Sequence, residues 1–162
     1  MELNKATCSS VGSYKHALTK GKKYKILDEK EEMIRIVGDQ GRRVWINKYY
    51  FYFNDEEVLI LTDWKFDDDV ETMEFIEITL TFNDRVKRWC IITTPDKLKQ
   101  YFARLAAPEL PGIHIGHMII VQRIDVDTVN AFLRQMDNQG ELLKASLPLG
   151  EGSEDEDISG LL

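Results

Sequence analysis

Two stretches with a period of two residues flank a short polar turn, and this pattern constrains the fold more than anything else in the chain. Ile76, Ile78, Leu80 and Phe82 are separated by Glu77, Thr79 and Thr81. After Asn83-Asp84, Val86, Arg88, Cys90 and Ile92 alternate with Lys87, Trp89, Ile91 and Thr93. Successive side chains of a strand point to opposite faces. The first stretch therefore reads as a strand with one buried face, and the second as its hairpin partner, apolar on both faces toward its end.

The residues that follow read as helix, strand, helix. Thr94 can cap the free amides of a helix whose first position is Pro95, where a missing N–H costs nothing. Leu98, Tyr101, Phe102 and Leu105 then fall on one helical face, a stripe expected to meet the core. Two prolines and a glycine make 106–112 a loop, and Met118, Ile119, Ile120 and Val121 make 117–122 a buried-type strand. A second helix is expected from a cap at Asp125 or Asp127. It carries Val129, Phe132, Leu133 and Met136 and ends at Gly140. Residues 142–147 can add a last edge strand. The order implies an α+β domain, an antiparallel or mixed sheet covered by two helices.

Upstream, Tyr24, Ile26 and Leu27 begin one short strand, Met33, Ile34, Ile36 and Val37 a second, and Val44 and Ile46 a third. Gly38-Asp39-Gln40-Gly41 turns the chain between the last two. Leu18-Thr19-Lys20-Gly21-Lys22-Lys23-Tyr24-Lys25-Ile26-Leu27, then Ile34 to Asp39, then Trp45 and Tyr49 to Phe51, resemble a bacterial SH3-like barrel module. The resemblance covers roughly a quarter of the chain. It implies a small antiparallel barrel and no active site, because this fold hosts ligand binding, nucleic-acid binding and structural roles alike. The expected organisation is an SH3-like module at 14–53, an acidic linker or surface segment at 54–74, an α+β domain at 75–149 and a disordered acidic tail at 150–162.

The formal charge is −7 over 162 residues, and it is unevenly spread. Between Tyr14 and Lys48 ten Lys or Arg face five Asp or Glu, whereas between Asn54 and Glu77 ten acids face Lys65 alone. The tail adds Glu151, Glu154, Asp155, Glu156 and Asp157. Such asymmetry can steer a charged partner and says little about fold. No run approaches the roughly 18 apolar residues of a membrane span, and Met-Glu-Leu-Asn-Lys is not a signal peptide, so no membrane role and a cytoplasmic location are expected. Cys8, in a polar stretch, and Cys90, in an apolar strand, are a poor basis for a disulfide; Cys90 reads as a small buried hydrophobe.

Motifs with chemistry are weak. Asp63, Lys65, Asp67, Asp69, Glu71 and Glu74 fit the count of a calcium loop, but Lys65 puts a cation at a ligand position and Asp68 replaces the turn glycine. His114 and His117 sit three apart without a marked third metal ligand, and His16 has no acid-base partner in sequence. Gly21-Lys22-Lys23 lacks the spacing of a phosphate loop. Lys20, Lys22, Lys23 and Lys25 with Tyr24, and Arg42-Arg43 near Trp45, Tyr49, Tyr50 and Tyr52, have the makeup of a single-strand nucleic-acid surface, which the overall acidity opposes. The acids Asp63, Asp67, Asp68, Asp69 and Glu71, interleaved with Trp64 and Phe66, have the makeup of a protein interface.

No catalytic residue, cofactor or metal is expected. The reading is a non-catalytic protein–protein interaction module whose segment Asp63, Trp64, Phe66, Asp67, Asp68, Asp69 and Glu71 binds a basic protein. In size, acidity and lack of catalytic motifs the chain is similar in character to bacterial or phage proteins that neutralise a basic partner, such as immunity proteins and inhibitors of defence nucleases. Two alternatives stand beside it. One is an enzyme or enzyme subunit using His114, His117 or an acid of 63–74 between the modules; the other is a nucleic-acid-associated SH3-like adaptor using Lys20 to Lys25.

Overall fold

The computed structural model describes residues 4–54, 56–105 and 112–150. Asp55, the expected loop apart from Gly112, and the acidic tail lie outside the described residues. Among the described residues eleven strands and two α-helices are formed, β1 (Lys5–Cys8), β2 (Lys23–Lys25), β3 (Asp28–Glu29), β4 (Met33–Val37), β5 (Arg43–Asn47), β6 (Phe51–Tyr52), β7 (Leu61–Phe66), β8 (Ile76–Phe82), β9 (Lys87–Thr93), α1 (Pro95–Leu105), β10 (Met118–Ile120), α2 (Val126–Asn138) and β11 (Leu147–Pro148), with a 3-10 turn at Lys48–Tyr50. The chain is a mixed α+β protein. None of its described helices is long and apolar enough to cross a membrane.

Two compact units emerge, and they do not follow the boundaries expected at 53/54 and 74/75. Met1–Leu61 and Asp125–Lys144 make one; Thr62–Ile124 and Ala145–Leu162 make the other. α2, expected over the second sheet, is thus part of the first unit.

In the first unit the strands pair as two three-stranded sheets, β2-β1-β6 and β3-β4-β5. Both are antiparallel. No closed barrel forms among the described residues. β4 and β5 pair as expected, Ile34 opposite Ile46 and Ile36 opposite Val44, across the 38–41 turn. β1 was not legible: its sequence Lys-Ala-Thr-Cys has little hydropathy, yet it is the central strand of its sheet, and Ala6 and Cys8 lie in the core with Leu18, Tyr24, Ile34 and Phe51. Cys8 therefore belongs to no polar stretch. Small residues fit where two backbones approach closely, and a hydropathy reading undervalues them.

α2 brings Val129, Leu133 and Asp137 inward at i, i+4 and i+8, all buried. Asp125 caps it by accepting from the Thr128 amide at 2.7 Å. Asp137 is the exception in an otherwise apolar stripe. It takes the Lys20 ammonium at 2.8 Å, with both side chains under a tenth exposed, and also accepts the Leu61 amide at 3.1 Å. Arg134, one turn earlier, donates to the Leu61 carbonyl. The backbone of one residue, Leu61, is thereby gripped at both its N–H and its carbonyl.

The second unit is a five-stranded mixed sheet in the order β10-β9-β8-β7, with β11 also on β9. β8 and β9 are the expected antiparallel hairpin, Ile76 opposite Ile92 and Ile78 opposite Cys90, and these four are fully buried. β10 runs parallel to β9, Ile119 beside Ile92. The other face pairs Glu77 with Ile91 and Thr79 with Trp89. Thr94 Oγ1 caps α1 through the Lys97 amide at 3.1 Å. The stripe on α1 is only partly seated, because Leu98 and Tyr101 are half-buried and Phe102 is exposed. The Leu105 side chain lies outside the described residues.

Candidate functional site

The acidic stretch expected as a linker or surface segment contains a strand. Its first part is the strand β7, and strand alternation sends neighbouring residues to opposite faces. Trp64 and Phe66 share one face, their rings edge to face at 5.0 Å, so Asp63 and Lys65 point the other way. Within β7 the interleaving therefore separates Asp63 from Trp64 and Phe66 in space.

Beyond β7 the chain folds into a turn held from α1. Lys97 donates its ammonium to the carbonyls of Val70 at 3.0 Å and Met73 at 2.7 Å. Arg104 pairs with Glu74 at 2.8 Å, and the Phe75 and Tyr101 rings meet at 4.9 Å. Hydrogen bonds from Arg104 hold the Glu74 carboxyl below the usual range. Glu74 is thus occupied, and Asp69 accepts the Glu71 amide at 2.9 Å, an Asx-type turn that shapes the segment. Asp69 and Glu71 are exposed.

Asp67 and Asp68 turn back to β8. Asp67 donates its amide to the Glu77 carbonyl at 2.9 Å and takes the Thr79 hydroxyl at 2.6 Å, while Asp68 takes the Glu77 amide at 2.8 Å. Three carboxylates are brought together around one strand residue. The consequence falls on Glu77, whose carboxyl is pushed above its ordinary value by loss of water and then by Asp68 and Asp67, with His117 acting the other way. Lys65, 3.6 Å from Asp67, is the nearby cation, and its side chain is 69% exposed. Next along the same face as Glu77 are Ile91 and Trp89. The His117 ring lies edge-on to Trp89 at 4.5 Å. The candidate site is this face: an acidic edge of Asp67, Asp68 and Glu77 beside Trp89 and His117.

Glu77 and Trp89 were missed from sequence, although the signal was there. Pairing 76–82 against 87–93 puts Glu77, Thr79, Ile91 and Trp89 on one face; what could not be seen is that Asp67 and Asp68 fold back onto it.

The remaining motifs resolve individually. Positions of the calcium-loop count are spread over a strand and a turn, and among the described residues no three His, Cys, Asp or Glu side chains converge to hold a metal ion. His114 is exposed. Of the basic run, Lys20 is spent on Asp137 and Lys22 on Asp39 at 2.7 Å, which leaves Lys23 and Lys25 exposed on β2. Asp39, read as a turn residue, is a hub: it also takes the hydroxyls of Thr19 at 2.7 Å and Tyr24 at 2.9 Å. Trp45 is covered by Lys30 at 4.4 Å from its ring, so it is not a free stacking platform. Burial pushes the thiols of Cys8 and Cys90 up to about 12, so neither is a ready nucleophile. Comparison with family models, curated proteins and solved structures returned no match.

Proposed function

We propose that the chain is a non-catalytic protein–protein interaction module in which the acidic edge of the five-stranded sheet captures a basic protein. The observation that carries this reading is the crowding of Asp67, Asp68 and Glu77. The repulsion that Asp68 and Asp67 exert on the Glu77 carboxyl is relieved by an incoming cation, so a partner's Lys or Arg gains more there than beside an isolated acid. Trp89 supplies an adjoining ring of the kind that anchors interfaces and accepts cations over its face. Exposed Asp63, Asp69 and Glu71 extend the field that would speed the encounter. Such a protein would act as an inhibitor or immunity-type neutraliser, by covering a basic functional surface.

In the same reading the first unit is an SH3-like module that serves as scaffold. The orders β2-β1-β6 and β3-β4-β5 support it, together with β2 and β3 following closely in the chain and the 3-10 turn immediately before β6.

The test is affinity capture from lysate of the native host, eluted with a salt gradient, with wild-type protein and a variant carrying Asp67→Lys, Asp68→Lys and Glu77→Lys. A basic protein that elutes from the wild type with rising salt and is absent from the variant is the expected result. A partner indifferent to the reversal, or none, overturns the proposal.

A further inference from the structure

The first unit has a cleft of quite different chemistry. It lies between the turn 11–15 and the second half of α2 and encloses about 620 Å³, within the roughly 300–1,000 Å³ range of small-molecule sites. Lys15 and Arg134 line it, with the hydroxyl of Ser13 and the carboxamides of Gln135, Asn138 and Gln139. No carboxylate is among its described lining residues, in a chain whose formal charge is −7. The two cations have no acid partner among the described residues. Arg134 commits one N–H, to the Leu61 carbonyl, which leaves four of its five donors.

The walls are fixed before any ligand arrives. Val11 is buried and donates its amide to the Asn138 carbonyl at 2.8 Å, and Tyr14 donates to Val11 at 2.8 Å. Gly12 has φ +50, and a Cβ there would stand 2.5 Å from the Tyr50 ring, so the turn can lie this close only as glycine. A helix C-terminus ordinarily repels anions through its bare carbonyls. Here those of Gln135, Met136, Asp137 and Asn138 are all taken, by the amides of Gln139, Glu141, Gly140 and Val11.

We infer that this cleft binds a small organic oxyanion, a carboxylate or phosphate group held between Lys15 and Arg134, with a polar remainder along Ser13, Gln135 and Asn138. A guanidinium and an ammonium lining one cleft with no carboxylate among its described lining residues suit either oxyanion, and the carboxamides suit hydroxyls or amides on the rest of the ligand. The site is independent of the acidic sheet edge and stands whether or not that edge binds a protein.

The experiment is amide NMR of the full chain at low ionic strength, titrated with inorganic phosphate and, separately, with acetate, against sodium chloride at matched ionic strength. Saturable shifts at Ser13, Lys15, Gln135 and Asn138 with an oxyanion but not with chloride are expected. A response to phosphate alone assigns a phosphorylated ligand, and a response to acetate a carboxylate. Lys15→Gln, at an exposed residue with no ion pair or hydrogen bond among the described residues, is expected to weaken binding roughly fivefold, the order of one charge-assisted contact. Ala131→Glu, on the exposed rim, should abolish it by placing a carboxylate beside Arg134. No saturable response, shifts centred on Lys23 and Lys25, or a response unchanged in both variants overturns the inference.

Discussion

The two units use charge in opposite ways. In the first, part of the lysine-rich run is structural: it looks like a polyanion surface, but Lys20 is buried on Asp137 and Lys22 closes a network on Asp39, while Lys23 and Lys25 stay exposed. In the second, the acid-rich run keeps its charge, since Asp67, Asp68 and Glu77 crowd together with exposed Lys65 beside Asp67 and His117 acting on Glu77. The difference teaches that a run of like charge becomes a surface only where the fold provides no counter-charge.

The hardest way to break the contrast is Asp137→Ala. It strands the Lys20 ammonium in a buried site and leaves the Leu61 amide without its acceptor, so a loss of about 3–5 kcal/mol is expected by urea denaturation. A loss below about 1 kcal/mol would make the pair ornamental and erase the contrast.

Acidification probes both units at once. Asp39 is held below its ordinary 3.8, first by Lys22 and then by Thr19 and Tyr24. A depressed folded pKa means stability that is present above the unfolded value and lost as pH falls through the folded one. The melting temperature should therefore fall as the pH drops below the ordinary carboxylate value and through the depressed Asp39 value, and Asp39→Asn should flatten that fall. Glu77 has the opposite sign, because its raised pKa costs stability on ionisation and protonation relieves it. Glu77→Gln should accordingly be neutral to slightly stabilising at pH 7, a small effect because the side chain is exposed.

Once a basic partner is in hand, the sign at Glu77 sharpens further. A cation favours the ionised carboxyl, so affinity should drop as pH falls through the raised Glu77 value, and Glu77→Gln should remove that part of the pH dependence. Calorimetric titration over about pH 4–7 checks it. An unchanged profile would remove Glu77 from the interface.

The smallest expected effect is chemical. Both thiols are buried and shifted to about 12, one in each unit. Neither should react with a thiol reagent near pH 8 until the protein unfolds, and then both should react. Rapid labelling of Cys8 alone would show the first unit opening more easily than the second.

Much of the second unit was legible. Period-two alternation placed β8 and β9 within a residue of their ends, and Thr94-Pro95 and Asp125 marked the two helix starts, because strand pleat and helix capping are local properties. β1 was invisible because Ala6 and Cys8 carry little hydropathy, and its pairing with β2 and β6 spans most of the first unit. Of the residues expected at an interface, Asp67 and Asp68 fold back beside Glu77, whereas Trp64 and Phe66 lie on the other face from Asp63. That Glu77 would join them depended on a turn of the chain around Lys97 and Arg104, partners far away in sequence.

The sequence by itself determined the local elements, the uneven charge and the lack of a recognisable catalytic motif, since each is written in neighbouring residues. Only the tertiary structure decided which charges survive. Asp137 meets Lys20 across more than a hundred residues, while Asp67, Asp68 and Glu77 meet one another. Charges act through distance in space and access to water, and neither follows from order along the chain.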